Sequence, residues 1–322
     1  MALDLSRAPA KGRSPVTPPA RGPLRRFLSR LDVKASPYAY ISPFYLLFLL
    51  FGLFPLGYTF WVSLHHWELI GGHRFTGLRN YQLLLSDPDF WNAVVNTLAM
   101  FVIATVPQLL LAMLLANTLN RRLRAQTLFR LGVLLPLVTS VAAVAIVFSQ
   151  LFGRDYGLIN WLLHFVGVHH IDWAANRWSQ WTAISVMVDW RWTGYNTLIF
   201  LAGMQAIPRE LYEAAAIDGA SRMKQFWRIT VPSLRPTIIF TSIIATIGGL
   251  QLFTEPLLFN QNFMNGGSLR QGQTVAMYMY ENAFQRFQYG YGSAVAWMLF
   301  LLILVVSLLN YLITRRLSGG RA

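Results

Sequence analysis

Six apolar stretches, each long enough to cross a bilayer as a helix, decide what this chain can fold into. A helix needs about 20 residues to span the hydrocarbon core. The stretches are Tyr38–Leu64, Val94–Leu119, Leu128–Leu151, Trp181–Met204, Thr237–Phe259 and Ala294–Ile313. Only 12% of the residues are charged, against roughly a quarter in soluble domains. The sequence therefore predicts an all-α integral membrane protein with six transmembrane helices.

The basic residues indicate how these helices are oriented. Most of the 27 Lys and Arg residues lie before the first stretch, after the second, after the fourth and at the end of the chain. Lys and Arg are enriched in the cytoplasmic segments of membrane proteins. We therefore expect both termini in the cytoplasm. The net charge of +14 then reflects membrane topology, and nucleic acid is not an expected partner.

The chain divides into two regions by composition. Residues 1–36 are rich in Pro, Arg, Lys and Ala without apolar periodicity, so we expect a disordered basic cytoplasmic arm. Residues 37–322 form the expected transmembrane domain. The first apolar run is too long for the core of a signal peptide. The chain has no cysteine, which excludes disulfides, thiolate metal sites and cysteine catalysis.

An island of charge, residues 205–235, separates the fourth and fifth apolar stretches. Pro208 can open a helix because its missing N–H would be unpaired there. Gly219 can supply the left-handed residue that ends this helix, and Ser221 can cap a second one. The spacing therefore predicts a helix-turn-helix. Its aromatic side chains and its run of alanines favour a docking surface over a simple linker.

The same residues resemble the coupling loop of ABC importer permeases, called the EAA loop. Glu213-Ala214-Ala215 is followed after three residues by Gly219, and after nine more by Ile229-Thr230-Val231-Pro232. Only Val231 departs from the family pattern, which usually has Leu there. In that family the loop sits in a cleft of the cytoplasmic ATPase. The resemblance assigns ATPase coupling to Glu213, Ala214, Ala215, Asp218, Gly219, Phe226 and Pro232.

Further motifs resemble the carbohydrate-uptake permeases of the maltose and glycerol-3-phosphate type. They are Phe75–Tyr81, Ser86–Trp91, Asn96–Leu98, Gly157–Asn160, Trp192–Asn196, Tyr278–Phe284 and Gly290–Ala294. The stretch 248–256 and the stretch 277–284 look most like permeases for cellobiose- or lactose-type sugars. One departure is Asn265–Arg270, where the family often has Thr-Gly-Gly-Pro. The similarity covers roughly residues 43–312 and leaves only the arm outside.

This resemblance implies a multi-pass subunit of a bacterial cytoplasmic membrane importer. Its expected partners are the lipid bilayer, a second homologous permease that makes a heterodimer, two ATPase subunits and an extracytoplasmic sugar-binding protein. No G-x-x-x-x-G-K-[ST] phosphate loop occurs in the sequence. ATP and Mg²⁺ are therefore expected on the partner ATPases, and this chain is expected to bind no cofactor and to be no enzyme. The histidines match no metal-binding pattern.

Polar and aromatic residues in the fourth and fifth stretches are candidates for the substrate path. Aromatic faces cover the apolar side of a sugar ring, and fixed polar groups bind its hydroxyls. The candidates are Asp189, Trp190, Trp192, Tyr195, Asn196, Gln251 and Glu255. Asp189 and Arg191 are two residues apart and lie on different helix faces, so they are not expected to pair with each other.

Three other functions compete with sugar import by an ABC importer. An ion-coupled secondary transporter would have inverted repeats and unwound midspan segments, and it would leave the docking loop without a purpose. An intramembrane enzyme would need converging catalytic groups, which the scattered acids do not provide. Within the ABC interpretation, glycerol-3-phosphate or a polyol is the alternative substrate.

Overall fold

The computed structural model describes residues 23–121 and 124–318, with side chains from residue 36 to residue 315 inside those ranges. The predicted arm lies outside the described residues over 1–22. Its remainder is helical, because the first helix begins at Pro23. Residues 23–36 contain several Leu and Arg residues of good helix propensity. The division into a basic cytoplasmic arm and a transmembrane domain stays a prediction.

Helices account for nearly all of the regular structure in the described residues. In chain order they are α1 (Pro23–Phe48), α2 (Phe54–Ser63), α3 (Arg79–Leu85), α4 (Pro88–Leu119), α5 (Gln126–Val138), α6 (Val141–Leu151), α7 (Leu158–Phe165), α8 (Arg177–Gln205), α9 (Arg209–Ile217), α10 (Arg222–Gln225), α11 (Val231–Ser233), α12 (Arg235–Leu250), α13 (Thr254–Phe259), α14 (Val275–Tyr280) and α15 (Tyr289–Ser318). π-Helical segments occupy Leu49–Leu53, Phe226–Thr230 and Glu281–Gln285, and a 3₁₀ turn occupies Ser268–Arg270. Strands β1 (His65–Trp67) and β2 (His73–Phe75) pair antiparallel, with His66 opposite Arg74.

The chain forms two compact units. The first ends at Tyr58, and within the described residues it contains α1, the first π-helical segment and the start of α2. The second begins at Thr59 and contains all the elements discussed below. The candidate sites lie entirely within the second unit.

The structure supports part of the predicted six-helix count. Within the described residues, three helices are long and apolar enough to cross a membrane: Ser36–Ser63, Pro88–Leu119 and Tyr289–Arg315. Two helix pairs qualify if each bent pair is one span, namely α5 with α6 at 90° and Arg222–Ser233 with α12 at 70°. The predicted fourth span coincides with α8, which is long but carries Asp189 and Arg191. The six-span count and the orientation stay predictions.

Helix α8 lies at the centre of the second unit, where it packs along α4 and against α5. One buried cluster joins α4 and α8 to α6 and includes Met100, Phe148 and Met187. Gly194 of α8 makes a very close approach possible, because a Cβ there would overlap the carbonyl oxygen of Val133 in α5. Helix α8 therefore positions the two candidate sites described below, a cavity beside the helix and the loop of residues 205–235 that follows it.

The predicted fifth span is not one continuous helix. Helix α12 ends at Leu250, Phe253 has a non-helical backbone (φ −135°, ψ −57°), and α13 begins at Thr254. The prediction of a helix over Thr237–Phe259 is wrong at this break. Averaged over the stretch, the composition stays apolar through Phe259 in spite of Gln251, Thr254 and Glu255, so mean hydropathy does not locate the interruption. The break places residues 251–255 beside α8.

Buried asparagines hold the segments between the long helices. Asn160 donates to the carbonyls of Arg154 and Ile171, and its Oδ1 accepts from the Trp173 indole at 3.0 Å. Asn96 donates to the carbonyls of Arg270 and Gln273. A carboxamide both donates and accepts, so one side chain satisfies several buried backbone groups. Both residues come from the sequence motifs described above, and their contacts are structural.

Candidate functional site

A cavity of about 470 Å³ opens between α4, α6, α8 and α12 and is closed on one side by the segment after α12. Its wall contains the side chains of Thr105, Gln108, Val141, Val188, Arg191, Trp192, Tyr195, Asn196, Ile244, Ala245, Gln251, Leu252, Phe253, Thr254 and Glu255, together with Gly248 and Gly249. Aromatic rings, carboxamides and hydroxyls alternate with aliphatic groups on this wall. Such a mixture suits a ligand that presents both C–H surface and hydroxyl groups.

Five of the seven residues predicted for the substrate path line this cavity. They are Trp192, Tyr195, Asn196, Gln251 and Glu255. Asp189 and Trp190 lie on other faces of α8: the ring of Trp190 contacts Phe148 at 5.6 Å between centroids. The Oδ1 of Asp189 is buried and has no hydrogen-bond partner among the described residues. The cavity therefore does not include these two side chains.

Arg191 and Glu255 form an ion pair in the cavity wall. The Arg191 Nη1 lies 3.2 Å from the Glu255 Oε1, and the two side chains are 17% and 10% exposed. The pair exists because the break after α12 brings Glu255, in the first turn of α13, beside α8. As predicted, Asp189 is not the partner of Arg191. Removing one partner of such a secluded pair leaves an uncompensated charge and costs about 3–5 kcal/mol.

Two lining residues on α4 were not among the sequence candidates. Thr105 and Gln108 are buried, on either side of Pro107, and both line the cavity. The available signal was two polar residues three positions apart in an otherwise apolar helix, which places them on one face. That signal alone does not separate a cavity wall from a polar contact between helices.

The coupling loop, residues 205–235, folds as the sequence predicted. Pro208 precedes α9, Glu210 lies in its first turn, and Gly219 follows its end with φ +74°. The Ser221 hydroxyl accepts from the Lys224 backbone N–H at 3.4 Å and caps α10. Glycine reaches this left-handed backbone conformation without strain. The sharp turn between α9 and α10 therefore depends on Gly219.

The loop has an exposed face and a buried attachment. Glu213, Ala214, Asp218 and Gly219 are exposed, and Ala215 is half-buried. Exposed apolar side chains accompany them, namely Leu211, Ile217, Met223 and Trp227. A solvent-facing apolar set of this kind is typical of an interaction surface.

Phe226 belongs to the buried attachment, and its predicted role in ATPase coupling stays a prediction. It is 4% exposed and packs in a cluster with Ala112, Leu119 and Met204. Beside it, the Tyr212 hydroxyl lies 2.9 Å from the Thr230 Oγ1. Pro232 is half-buried in α11. Direct contact between Phe226 and a partner chain does not fit this burial, and Phe226 instead fixes the loop to α4 and α8.

A second polar network joins the start of α4 to the segment before α15. Arg270 pairs with Asp89 at 3.1 Å and with Glu281 at 2.8 Å, and Arg286 pairs with the other Glu281 oxygen at 2.7 Å. Burial opposes ionisation of Glu281, but hydrogen bonds from Arg270 and Gln273 and the two cations outweigh it and lower its pKa. Glu281 is therefore held ionised between two arginines.

This network predicts an acid-sensitive stability. A carboxyl group whose pKa is lowered by folding stabilises the native state above its unfolded pKa, and this stabilisation is lost as pH falls through the folded value. We expect the melting temperature of the purified protein to fall below about pH 4.5. Glu281→Gln should lower the melting temperature at neutral pH and make the melting temperature depend less on pH in the acid range.

The measurement is thermal unfolding between pH 7 and pH 3. Asp155→Asn is the control, because Asp155 is an exposed acid with an exposed partner, and it should leave the profile unchanged. Asp87 also has a lowered pKa, since hydrogen bonds from Tyr278 and Asp89 among others outweigh its burial, so some acid dependence should remain in the Glu281 variant. An unchanged slope in that variant would contradict the assignment to Glu281.

Comparison with known proteins identifies the family. The family model described as binding-protein-dependent transport system inner membrane component matches residues 100–319. The chain belongs to this family. It is a multi-pass inner-membrane permease, and the resemblance to ABC importer permeases found in the sequence is confirmed. The matched region contains both the cavity and the coupling loop.

Curated relatives of this permease match over most of both chains. It is 35% identical over 289 residues to the arabinooligosaccharides transport system permease AraP of Halalkalibacterium halodurans, which covers 89% of this chain and 90% of that one. It is 34% identical over 301 residues to the lactose transport system permease LacF of Rhizobium radiobacter, covering 92% and 98%. It is 34% identical to the trehalose/maltose permease MalF of Thermococcus litoralis, covering 83% and 89%.

Solved structures share the fold of this permease. A chain of a bacterial ABC transporter involved in import of the acidic polysaccharide alginate superposes with a TM-score of 0.73 at 22% identity, covering 90% of this chain and 99% of that one. The same TM-score is found for the alginate transporter in complex with an alginate pentasaccharide-bound periplasmic protein. At this identity the match shows the fold alone.

Proposed function

We propose that this permease is one transmembrane subunit of an ATP-driven ABC importer that carries a sugar into the cytoplasm by alternating access. One observation carries the proposal: a cavity lined by aromatic and polar side chains and an exposed coupling loop lie in the same helix bundle. The relatives named above for arabinooligosaccharides, lactose and trehalose/maltose support a sugar substrate. The proposed cargo is a disaccharide or short oligosaccharide, for example a cellobiose-type sugar.

The cavity supports this substrate class through its size and chemistry. Its volume of about 470 Å³ lies in the range of roughly 300–1,000 Å³ of small-molecule sites. Trp192 and Tyr195 offer ring faces for the C–H side of a pyranose. Gln108, Asn196 and Gln251 offer carboxamides that donate to and accept from hydroxyl groups.

Glycerol-3-phosphate suits this cavity less well than a neutral sugar. An anionic substrate favours converging cations on the wall, whereas Arg191 is already paired with Glu255 at 3.2 Å. A polyol would meet the same hydroxyl-binding groups as a sugar but would leave the aromatic faces without a ring to cover. The disaccharide proposal uses both kinds of side chain.

The free energy for transport would come from two partner ATPase subunits, which would hold ATP and Mg²⁺. In this proposal the exposed face of the coupling loop, with Glu213, Ala214, Ala215, Asp218 and Gly219, docks on an ATPase subunit. Closure of the ATPases would move the loop, and the helix bundle would follow as a rigid body toward the other side of the membrane. A second permease would complete the path, and an extracytoplasmic binding protein would deliver the sugar.

The alternative is an ion-coupled secondary transporter, and one observation favours it. The chain is unwound between α12 and α13 beside Glu255, and ion-coupled transporters use such breaks to bind ions. The exposed apolar face of the coupling loop has no purpose in that mechanism. An ATPase that purifies with the permease would separate the two functions.

The test is a pull-down of this permease from detergent-solubilised native membrane. We expect the wild type to bring down a second permease and an ATPase. Glu213→Lys should reduce the recovered ATPase activity by about tenfold or more, because reversing one charge of a docked pair leaves its partner facing a like charge. Asp155→Lys, a reversal at an exposed position in a segment predicted to lie outside the cell, is the matched control.

Recovery of the permease alone, without an ATPase in any sample, would contradict the importer proposal and support the ion-coupled alternative. Equal ATPase recovery from the Glu213 variant and the Asp155 control would leave the importer intact but would remove Glu213 from the docking surface.

A further inference from the structure

The cavity wall carries one full positive charge and one full negative charge. Among the lining residues, Arg191 supplies the one basic side chain and Glu255 the one acidic side chain, and the two form an ion pair at 3.2 Å. The other polar lining groups are hydroxyls, carboxamides and the indole N–H of Trp192. The wall therefore has no net charge as long as the pair is intact.

The Arg191 guanidinium is held in place, but not all of its N–H donors have an acceptor among the described residues. Only its Nη1 donates to Glu255, and its Nε is buried without an acceptor among the described residues. Its Cζ lies 5.9 Å from the centroid of the Trp192 ring, in a cation–π arrangement. The guanidinium could bind another carboxylate if Glu255 did not occupy it.

Two separate costs disfavour the binding of a substrate carboxylate in this cavity. It would have to leave water for a site that is largely apolar, and burial of an uncompensated charge is expensive. It would also compete with Glu255 for Arg191 while lying close to the Glu255 charge. A neutral sugar avoids both costs, because its hydroxyls can accept from Arg191 and donate to Glu255 without breaking the pair.

We infer that the Arg191–Glu255 ion pair acts as a charge filter that selects uncharged saccharides over acidic ones. This inference rests on the proposed function of the cavity. It assigns specificity to two residues that lie 64 positions apart in the sequence. It also predicts that removal of Arg191 and removal of Glu255 change the preference between acidic and neutral sugars in opposite directions.

The experiment compares neutral disaccharides with their aldonic acids. The probes are lactose with lactobionate, maltose with maltobionate and cellobiose with cellobionate. Equilibrium binding is measured on the assembled importer without its binding protein, because a binding protein would impose its own selectivity. The readout is the ratio of acid to neutral affinity for each pair of probes.

The two single variants should change this ratio in opposite directions. Glu255→Gln leaves Arg191 free and should raise the ratio by roughly tenfold, whereas Arg191→Gln leaves Glu255 free and should lower it by a similar factor. The exchanged pair, Arg191→Glu with Glu255→Arg, restores neutrality and should return the ratio toward that of the wild type. Gln251→Leu, a neutral change in the same wall, should weaken both probes together.

A structural role for the pair predicts a different result. Both single variants would then lose affinity for both probes in parallel, with the ratio unchanged, and this outcome would overturn the inference. A wild type that prefers the acid member of each pair would also overturn it. Failure of the proposed function is separate, because a wild-type importer in native cells would then take up no saccharide at all.

Discussion

Replacing Gly219 with valine is expected to abolish uptake while leaving the permease inserted in the membrane. Gly219 has φ +74°, a conformation that costs a β-branched residue about 1–3 kcal/mol. Within the described part of the chain, an added Cβ there would meet no atom within 4 Å, so the effect acts through the backbone. Relief of this strain would change the angle between α9 and α10 and move the exposed docking face.

Gly219→Asn is the matched variant, because asparagine tolerates the left-handed conformation far better than valine. The measurements are membrane abundance and uptake of the sugar by cells. We expect wild-type abundance for both variants, nearly normal uptake for asparagine and none for valine. Normal uptake by the valine variant would show that the turn does not couple the permease to its ATPase.

Replacing Gly194 with leucine is expected to prevent the bundle from folding. An added Cβ would overlap the backbone carbonyl oxygen of Val133, which cannot rotate away as a side chain could. The two helices would have to separate along α8, at the centre of the second unit. Overpacking of this kind destabilises a fold by about 1–3 kcal/mol and occasionally more. Because the clash here is with a backbone atom, we expect a destabilisation at the upper end of this range.

The smaller change Gly194→Ala tests the same contact with a measurable protein. We expect a lower melting temperature and less monodisperse protein after purification. Gly132→Ala in the facing helix α5 is the control, because an added Cβ there meets no atom of the described residues within 4 Å. It should be neutral or slightly stabilising, since alanine favours a helix more than glycine does. Equal stability of the two variants would contradict the close packing of α5 on α8.

The coupling loop shows what can be predicted from neighbouring residues. Its helix start, its left-handed Gly219 and its Ser221 cap follow rules that operate within a few positions, and the structure confirms all three. The burial of Phe226 could not be predicted in this way. An aromatic residue on a short polar loop fits a docking surface and an attachment equally well, and only the packing of α4 and α8 distinguishes them.

The cavity shows where local rules stop. Five of the residues predicted for the substrate path line it, because the aromatic and amide residues cluster on two stretches that are neighbours in the fold. The Arg191–Glu255 pair depends on the break between α12 and α13, which hydropathy does not reveal. Asp189 was a candidate because charges in membrane helices are costly, but its face of α8 is set by tertiary packing.

The burial of Phe226 also limits how this permease can exchange parts with its relatives. The loop has two surfaces under separate constraints: in the proposed function the outer one docks on an ATPase, whereas Phe226 packs against side chains of α4 and α8. A loop transplanted from another permease would therefore need its own receiving residues to come with it. Substitutions on the exposed face can follow changes in the ATPase, whereas Phe226 and the α4 and α8 side chains that pack against it must change together.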